Sequence, residues 1–228
     1  MTLTQLQEFI HITFTDPLLL KQAFVHRSYL NESNEFRQSN ERLEFLGDAV
    51  LSCITSHYLF TTYPQFPEGT LTNIRSTLVK TKSLADTAVE LHLGELLLLS
   101  RGEESSGGRQ NESLLADSFE ALLGAIYLDQ GMEVARSFLL QVLLPKSAEV
   151  VRTKSYVDYK SLLQERVQEQ TKVSPTYRVV KSEGPDHNKI FWVEVLTGET
   201  VLGAGQGKSK QDAEQQAAAA ALEKYPKP

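Results

Sequence analysis

Apolar residues recur at intervals of three and four positions along most of the first 145 residues of the chain. This spacing is typical of amphipathic α-helices. The predicted helices cover residues 3–10, 17–30, 40–60, 70–91, 112–128 and 131–143. The pattern is interrupted by a Pro- and Gly-containing stretch at 63–69 and by a polar loop at 100–108. Because no strand-like alternation occurs between these helices, the first part of the chain is predicted to be all-α.

The pattern changes in the last third of the chain. Three runs rich in β-forming residues, YRVVKSEG, KIFWVEVL and ETVLGAGQG, lie between helix-like segments at 158–169 and 210–225. Some 70 residues suffice for a small α+β domain with the order α-β-β-β-α. We therefore predict an all-α domain over residues 1–148, a linker over 149–156, and this α+β domain over 157–226.

One predicted helix, NERLEFLGDAVL at residues 40–51, carries three acids among apolar residues. At 100° per residue Glu41 and Asp48 lie about 20° apart, and Glu44 lies within about 60° of both. Most of the remaining circumference is apolar, which predicts a buried helix. Buried carboxylates must be protonated, paired with a base, or neutralised by a cation, because unpaired burial is costly.

A second helix, LLADSFEALLGAIYLD at residues 114–129, repeats this arrangement. Asp117 and Glu120 lie one turn apart, and residues 114–128 contain no Lys, Arg or His. The two helices could simply expose acidic edges to water, but such edges normally mix acids with Lys, Gln and Ser. If the acidic stripes instead face each other, Gly47 and Gly124 would allow the two backbones to approach closely.

Four converging carboxylates would offer only oxygen ligands, which suit Mg²⁺ or Mn²⁺. The histidines are not spaced with these acids as a zinc or copper site requires, and the Glu-x-x-His motif of a di-iron bundle is absent from both helices. A carboxylate-bound cation without a nucleophilic Ser, Cys or His indicates phosphoester hydrolysis. A carboxylate-bridged redox bundle remains a distant alternative.

The charge and hydropathy of the chain bear on its possible partners and its cellular location. The net charge of −6 argues at first against a nucleic-acid partner, but residues 157–228 hold ten basic and ten acidic residues, so the whole excess of acid lies in residues 1–156. The N-terminus lacks the features of a signal peptide, and no apolar run is long enough to span a membrane. We expect a cytoplasmic protein without membrane attachment, and the single cysteine excludes a disulfide framework.

The second domain contains the glycine-rich segment GAGQGKS at 203–209. It is not a Walker motif, since residue 202 is Leu where a glycine is required, and no nucleotide cofactor is expected. A helix start with Lys208, Ser209 and Lys210 would instead suit phosphate binding. Gln164 and Glu165, with a loop that contains His187, offer polar groups of the kind that read 2′-hydroxyls in an RNA minor groove.

The two acidic segments together resemble the signature segments of bacterial ribonuclease III. The resemblance extends to AFVHRSYLNE at 23–32, PEGTLTNIRSTLV at 67–79 and RGEESSGGRQNESLLAD at 101–117, and the last part of the chain resembles a double-stranded RNA-binding domain. It implies a homodimeric, Mg²⁺-dependent endoribonuclease, with Mn²⁺ able to substitute. Such an enzyme cleaves double-stranded RNA, leaves 5′-phosphates and 3′ overhangs, and processes rRNA precursors and other structured transcripts, including mRNA and tRNA.

The resemblance also assigns roles to individual residues. It implies metal binding by Glu44, Asp48, Asp117 and Glu120. Within this set, Asp48 and Glu120 would be essential for catalysis. Supporting acids would be Glu41, which we place at the periphery of the site, and Glu68. RNA contacts would fall on Gln164, Glu165, His187, Lys208, Ser209 and Lys210.

One departure from the family pattern concerns the start of the last helix. Gln211 and Asp212 follow Lys210 where the family usually has a denser basic cluster, which predicts weaker and more salt-sensitive RNA binding. The alternative to an endonuclease is a protein that binds and sequesters duplex RNA without cutting it.

Overall fold

The computed structural model describes residues 1–185 and 189–224. The chain forms two compact units, Met1–Tyr156 and Val157–Pro228. Within the described residues, no helix is both long and apolar enough to cross a membrane.

The first unit is helical, as predicted. Its helices are α1 (Leu3–Ile10), α2 (Pro17–Gln22), α3 (Glu41–Thr62), α4 (Glu68–Leu78), α5 (Thr81–Glu90), α6 (Arg101–Ser105), α7 (Glu112–Gln130), α8 (Met132–Val142) and α9 (Ser147–Thr153). Short 3₁₀ segments occupy Arg27–Asn31, Leu93–Glu95, Gly108–Gln110 and Leu144–Lys146. Side chains cap several starts: Asp16 accepts hydrogen bonds from the amides of Leu18 and Leu19 at α2, and Asn111 caps α7.

Helix α7 is the central element of the first unit. Its side chains are buried on nearly every face, including Phe119, Leu122, Leu123 and Ile126, none of which is exposed. Helices α3 and α5 pack against it, and α8 follows it after a turn at Gly131. Because most of its circumference is apolar, α7 requires neighbours on most sides, and the surrounding helices supply them.

Two predicted helices are shorter than the apolar period indicated. The segment 17–30 breaks after Gln22, because the chain turns and then pairs with a distant segment: Val25 forms a bridge with Leu98, and the Leu98 amide donates to the Phe24 carbonyl at 2.8 Å. The segment 70–91 divides into α4 and α5 at Lys80, whose extended backbone ends the first helix and begins the second. Conversely, the polar loop at 100–108 contains the short helix α6, capped by Ser100.

The predicted linker at 149–156 differs from the structure. Most of it belongs to α9, and Val150, Val151 and Tyr156 pack against a cluster formed by Leu59, Ile74 and Leu78. Burial of these apolar side chains holds the segment on the first unit, which extends to Tyr156. The weak helical period of the sequence did not reveal this packing.

The second unit has the predicted order of elements. Helix α10 (Tyr159–Thr171) precedes strands β1 (Thr176–Glu183), β2 (Ile190–Thr197) and β3 (Thr200–Gly207), and α11 (Lys210–Lys224) follows. The strands form an antiparallel sheet in the order β1-β2-β3. Both helices pack on one face of the sheet around a core that includes Leu163, Val193, Val195 and Leu202.

The glycines of β3 have a packing role. A Cβ atom at Gly205 would lie 2.3 Å from the Ala217 amide nitrogen, and one at Gly203 would lie 2.6 Å from the Ala217 carbonyl oxygen. Alternate glycines on the strand therefore face the alanine-rich side of α11 at a distance that no side chain permits. The glycine pattern that superficially suggested a nucleotide-binding loop is explained by this contact.

Candidate active site

The candidate site lies where α3 crosses α7. A Cβ atom at Gly47 would lie 1.8 Å from the Glu120 carbonyl oxygen, and one at Gly124 would lie 2.2 Å from the Leu43 carbonyl oxygen. Both glycines thus remove side chains at the crossing, as the sequence predicted. The close approach brings the acidic stripe of α3 next to that of α7.

Three of the predicted acids form a compact cluster at this crossing. Glu44, Asp117 and Glu120 are half-buried, and each offers a carboxylate oxygen within 4.8 Å of the other two. Three carboxylates at this distance repel one another strongly unless they bind protons or a cation. The donor set contains only oxygen, so it fits a hard divalent cation such as Mg²⁺.

Burial raises the pKa values of all three acids, and repulsion between carboxylates raises those of Glu44 and Glu120 further. Burial, followed by repulsion from Asp48, Glu44 and Asp117, raises the pKa of Glu120 from 4.5 to about 8. Burial is also the main cause that raises the pKa of Glu44, with repulsion from neighbouring acids added. Without a cation, the site therefore retains a proton at neutral pH.

Asp48 lies at the edge of this cluster. Its side chain is exposed, and it does not belong to the group whose oxygens lie within 4.8 Å of one another. It is nevertheless close enough to be the largest charge–charge contribution to the raised pKa of Glu120. Of the four predicted ligands, the structure brings three together and leaves Asp48 beside them on the solvent side.

Glu41 lies one turn before Glu44, at the start of α3, and its side chain is exposed. Its carboxylate accepts a hydrogen bond of 2.7 Å from the Ser39 hydroxyl, and its Oε1 lies 3.9 Å from Arg27 Nη1. It also lines the cavity of 350 Å³ that contains Glu44 and Asp117. Among the described residues, Glu41 is not part of the group of three converging carboxylates.

His26 is a component of the site that the sequence analysis did not single out. It lines the same cavity as Glu44, and its charge partly offsets the burial that raises the pKa of Asp117. Its Nδ1 accepts a hydrogen bond from the Ser28 amide, which helps to orient the ring. Because His26 is more than 80 residues from α7 in sequence, helical spacing could not have found it; the matching segment AFVHRSYLNE was the only signal.

Glu68 lies in a different place. It is at the start of α4 and lines a cavity of 710 Å³ with Phe60, Tyr63 and Arg75, apart from the residues that surround Glu44 and Asp117. Its carboxylate accepts a hydrogen bond from the Thr72 hydroxyl at 2.9 Å. Within a single chain, therefore, the structure does not bring Glu68 into the acidic cluster.

The prediction that α3 is buried on most sides is wrong for one face. Phe45 is 81% exposed and Phe60 is 71% exposed, and Ala49, Cys53 and His57 are exposed between them. These five residues define an exposed apolar face of α3. An exposed apolar face of this length is typical of a protein–protein contact.

The predicted RNA-binding residues of the second unit are on its surface. Gln164 and Glu165 are exposed on α10, and Lys208 and Lys210 are exposed at the start of α11. Ser209 is also exposed, and its hydroxyl accepts a hydrogen bond of 3.1 Å from the Asp212 amide, which caps α11. The predicted contact at His187 lies outside the described residues.

Comparisons with known proteins identify both units. The Ribonuclease-III-like family matches residues 16–147, and the double-stranded RNA binding motif matches residues 159–225. Ribonuclease 3 of Enterococcus faecalis is 48% identical over 224 residues, which is 98% of this chain and 97% of that protein. Ribonuclease 3 of Bacillus cereus is 50% identical over 219 residues, covering 96% and 89% of the two chains.

A solved structure supports the fold of the first unit. The nuclease domain of ribonuclease III from Campylobacter jejuni superimposes with a TM-score of 0.59 and 39% identity, over 64% of this chain and 98% of that one. The description of that structure refers to flexibility in a region involved in dimer formation. The family matches and the nearly full-length relatives together show that this chain belongs to the ribonuclease III family of endoribonucleases and carries a double-stranded RNA-binding motif.

Proposed function

We propose that this protein hydrolyses phosphodiester bonds in double-stranded RNA with a divalent cation, leaving 5′-phosphates and 3′ overhangs. The observation that carries this proposal is the cluster of Glu44, Asp117 and Glu120, whose carboxylate oxygens converge within 4.8 Å. When bound there, Mg²⁺, or Mn²⁺ in its place, would activate the attacking water and neutralise charge developing on the phosphoryl oxygens.

The acidic residues of the site would have different roles. Glu44, Asp117 and Glu120 would hold the cation, and Asp48 would add a fourth carboxylate from the solvent side, where the substrate arrives. Asp48 and Glu120 are proposed as the essential catalytic pair, since the charge of Asp48 acts strongly on Glu120. Glu41 would support Glu44 electrostatically, because its charge contributes to the raised pKa of that residue.

The second unit would supply most of the affinity for RNA. Lys208 and Lys210 would bind phosphates, with Ser209 orienting the start of α11, and Gln164 and Glu165 would face the minor groove from α10. His187, which lies between β1 and β2 in the sequence, is also proposed to contact RNA. The double-stranded RNA binding motif over 159–225 supports this assignment.

We further propose that the protein is a homodimer formed through the exposed apolar face of α3. In a twofold arrangement two copies of α3 pack antiparallel, so Phe45 near one end meets residues near the other end of the partner helix. The cavity of 710 Å³ at that end is lined by Leu59, Phe60, Tyr63 and other apolar residues, and it can receive a phenyl ring.

This pairing would also give Glu68 a role. Glu68 lines the cavity proposed to receive the partner's Phe45. Phe45 directly follows Glu44 in α3. The dimer would therefore bring Glu68 toward the acidic cluster of the other copy, where it could act as the supporting acid that it cannot be within one chain.

The cellular role is also a proposal. We propose a cytoplasmic enzyme that processes rRNA precursors and other structured transcripts, including mRNA and tRNA, as the resemblance to ribonuclease III implies. Neither a nucleotide cofactor nor a membrane is part of the proposal.

The test is incubation with a defined RNA duplex in the presence of Mg²⁺ or Mn²⁺. Wild type should cut both strands, and the Glu120→Gln variant should lose cleavage by a factor of roughly a thousand or more while binding the duplex normally, because the carboxylate is required to hold metal rather than RNA. Glu8→Gln, an exposed acid on α1, serves as the control for loss of one charge. A duplex that binds wild type but stays intact with both metals would indicate an RNA-sequestering protein instead.

A further inference from the structure

A second polar cavity lies beside the acidic cluster and has no part in the function proposed above. Its volume is 490 Å³, and its walls include Arg27, Asn31, Glu103, Asn111 and Ser113. It shares His26, Arg27 and Leu114 with the cavity that contains Glu44 and Asp117, so the two are neighbours. A nucleotide adjoining one bound at the cluster would reach it.

Hydrogen bonds hold the walls of this cavity in place before a ligand binds. The Ser28 hydroxyl lies 2.8 Å from His26 Nδ1 and accepts a hydrogen bond of 3.0 Å from the Ser100 amide. The Ser100 hydroxyl in turn accepts a hydrogen bond of 3.2 Å from the Glu103 amide. Segments from two distant parts of the chain are thereby held together, which limits the ordering needed when a ligand binds.

Arg27 gives the cavity a group that suits phosphate. Its side chain is 75% exposed, and its ionic contact with Glu41 is a long one of 3.9 Å. A guanidinium offers several donors in a planar array and binds phosphate oxygens through two of them. In a unit whose charge excess is acidic, Arg27 is positioned at the rim of the cluster where the RNA backbone must approach.

Asn31 and Glu103 supply this cavity with groups that can form hydrogen bonds with a hydroxyl. Among the described residues neither side chain has a hydrogen-bond or ion-pair partner, although Glu103 is half-buried. A ribose 2′-hydroxyl both donates and accepts, so it can donate to the Glu103 carboxylate and accept from the Asn31 amide. DNA lacks this hydroxyl, and such a contact distinguishes the two nucleic acids.

We propose that this cavity binds the ribose and phosphate of a nucleotide next to the scissile bond. Arg27 binds the phosphate and Asn31 binds the 2′-hydroxyl, so the nuclease unit itself selects RNA over DNA at the point of cleavage. This inference rests on the proposed function, since it assumes that RNA is cut at the acidic cluster.

The experiment uses RNA duplexes with a single 2′-deoxy nucleotide placed in turn at each position flanking the cleavage site. Wild type should cleave one of these duplexes about tenfold more slowly than the all-RNA duplex, the effect of one lost hydrogen bond to a positioned group. Asn31→Ala should cut the all-RNA duplex more slowly by a similar factor and should be insensitive to the deoxy nucleotide at that same position.

Arg27→Ala tests the phosphate contact, with Arg27→Lys keeping the charge and Arg37→Ala removing an exposed charge elsewhere in the unit. We expect Arg27→Ala to raise KM several-fold, Arg27→Lys to recover part of it, and Arg37→Ala to resemble wild type. The proposal is overturned if Asn31→Ala keeps the wild-type sensitivity at every position, or if Arg27→Ala behaves like Arg37→Ala.

The same set of duplexes separates this inference from the proposed function. If wild type binds these duplexes but cleaves none of them, the nuclease proposal fails. The affinities of wild type and Asn31→Ala for the deoxy duplexes then test the cavity proposal separately. Equal affinities of both proteins across the whole set would reject it. If wild type cleaves normally but the substitutions have no coupled effect, only the cavity proposal fails.

Discussion

The pKa of Glu120 is affected by all the neighbouring acids of the site. Burial and three neighbouring carboxylates raise its pKa from 4.5 to about 8. Between these values the folded protein binds a proton that the unfolded chain does not. The free energy of unfolding of the metal-free protein should therefore fall as pH rises from about 4.5 to 8.

Glu120→Gln should remove most of this dependence. The glutamine keeps the size of the side chain without the charge, so the metal-free variant should be more stable than wild type at pH 8, on the order of 1 kcal/mol after allowance for solvent screening. Denaturant unfolding in EDTA at pH 5 and pH 8 measures it. Glu8→Gln should show the wild-type profile, and an equal pH slope in Glu120→Gln would contradict the assigned cause.

Cation binding should show the opposite pH dependence. A cation must displace the proton held by the cluster, so the rise in Tm caused by Mg²⁺ should be larger at pH 8 than at pH 6. Asp117→Asn removes one of the three converging carboxylates and should reduce the Mg²⁺-induced rise in Tm to near zero. A rise that is equal at both pH values, or unchanged in Asp117→Asn, would place the cation elsewhere.

At the scale of elements, the crossing of α3 and α7 depends on the absence of two side chains. Gly124→Ala would place a Cβ atom 2.2 Å from the Leu43 carbonyl oxygen, and because the clash is with backbone the helices must separate. We expect a loss of roughly 1–3 kcal/mol in unfolding free energy, or more, and weaker Mg²⁺ binding, because the two acidic stripes move apart.

Gly69→Ala is the matched control for that substitution. Gly69 is in α4, and a Cβ atom there meets nothing within 4 Å. The alanine should be neutral or should stabilise the protein by up to about 1 kcal/mol through its helix propensity. If Gly124→Ala proved as harmless as Gly69→Ala, the close crossing would not be the feature that positions the cluster.

At the scale of the whole molecule, the exposed apolar face of α3 is the proposed dimer interface. Phe45→Asp should convert the proposed homodimer to a monomer in sedimentation or light-scattering measurements, because a charge replaces the ring proposed to fill the partner's cavity. Phe9→Asp, at another exposed phenylalanine, should leave the oligomeric state unchanged. A Phe45→Asp variant that remained dimeric would require a different interface.

The two units should contribute differently to activity. Removing residues 157–228 should weaken RNA binding on the order of tenfold or more at physiological salt but leave metal-dependent cleavage detectable at low salt, where fewer phosphate contacts suffice. The nuclease domain from Campylobacter jejuni forms a structure of its own, which supports folding of the truncated chain. A folded truncation with no cleavage at low salt would show that the second unit takes part in catalysis.

The positions of most helices and strands could be read from the sequence, since local periodicity and capping residues specify them. The failures occurred where local signals were overruled: the apolar run at 17–30 breaks because Phe24 and Val25 bond to a distant segment, and residues 149–156 pack on the first unit through Val150 and Val151. In both cases the deciding contact is far away in sequence.

By itself, the sequence determined that two helices carry acidic stripes and that each has a glycine near them, because helical spacing converts positions into faces. The tertiary structure alone decided which acids meet: Glu44, Asp117 and Glu120 converge, Asp48 stays on the solvent side, and Glu68 lies at another cavity. It also brought His26 and Arg27 to the site. Convergence depends on how helices cross, and long-range packing sets that crossing.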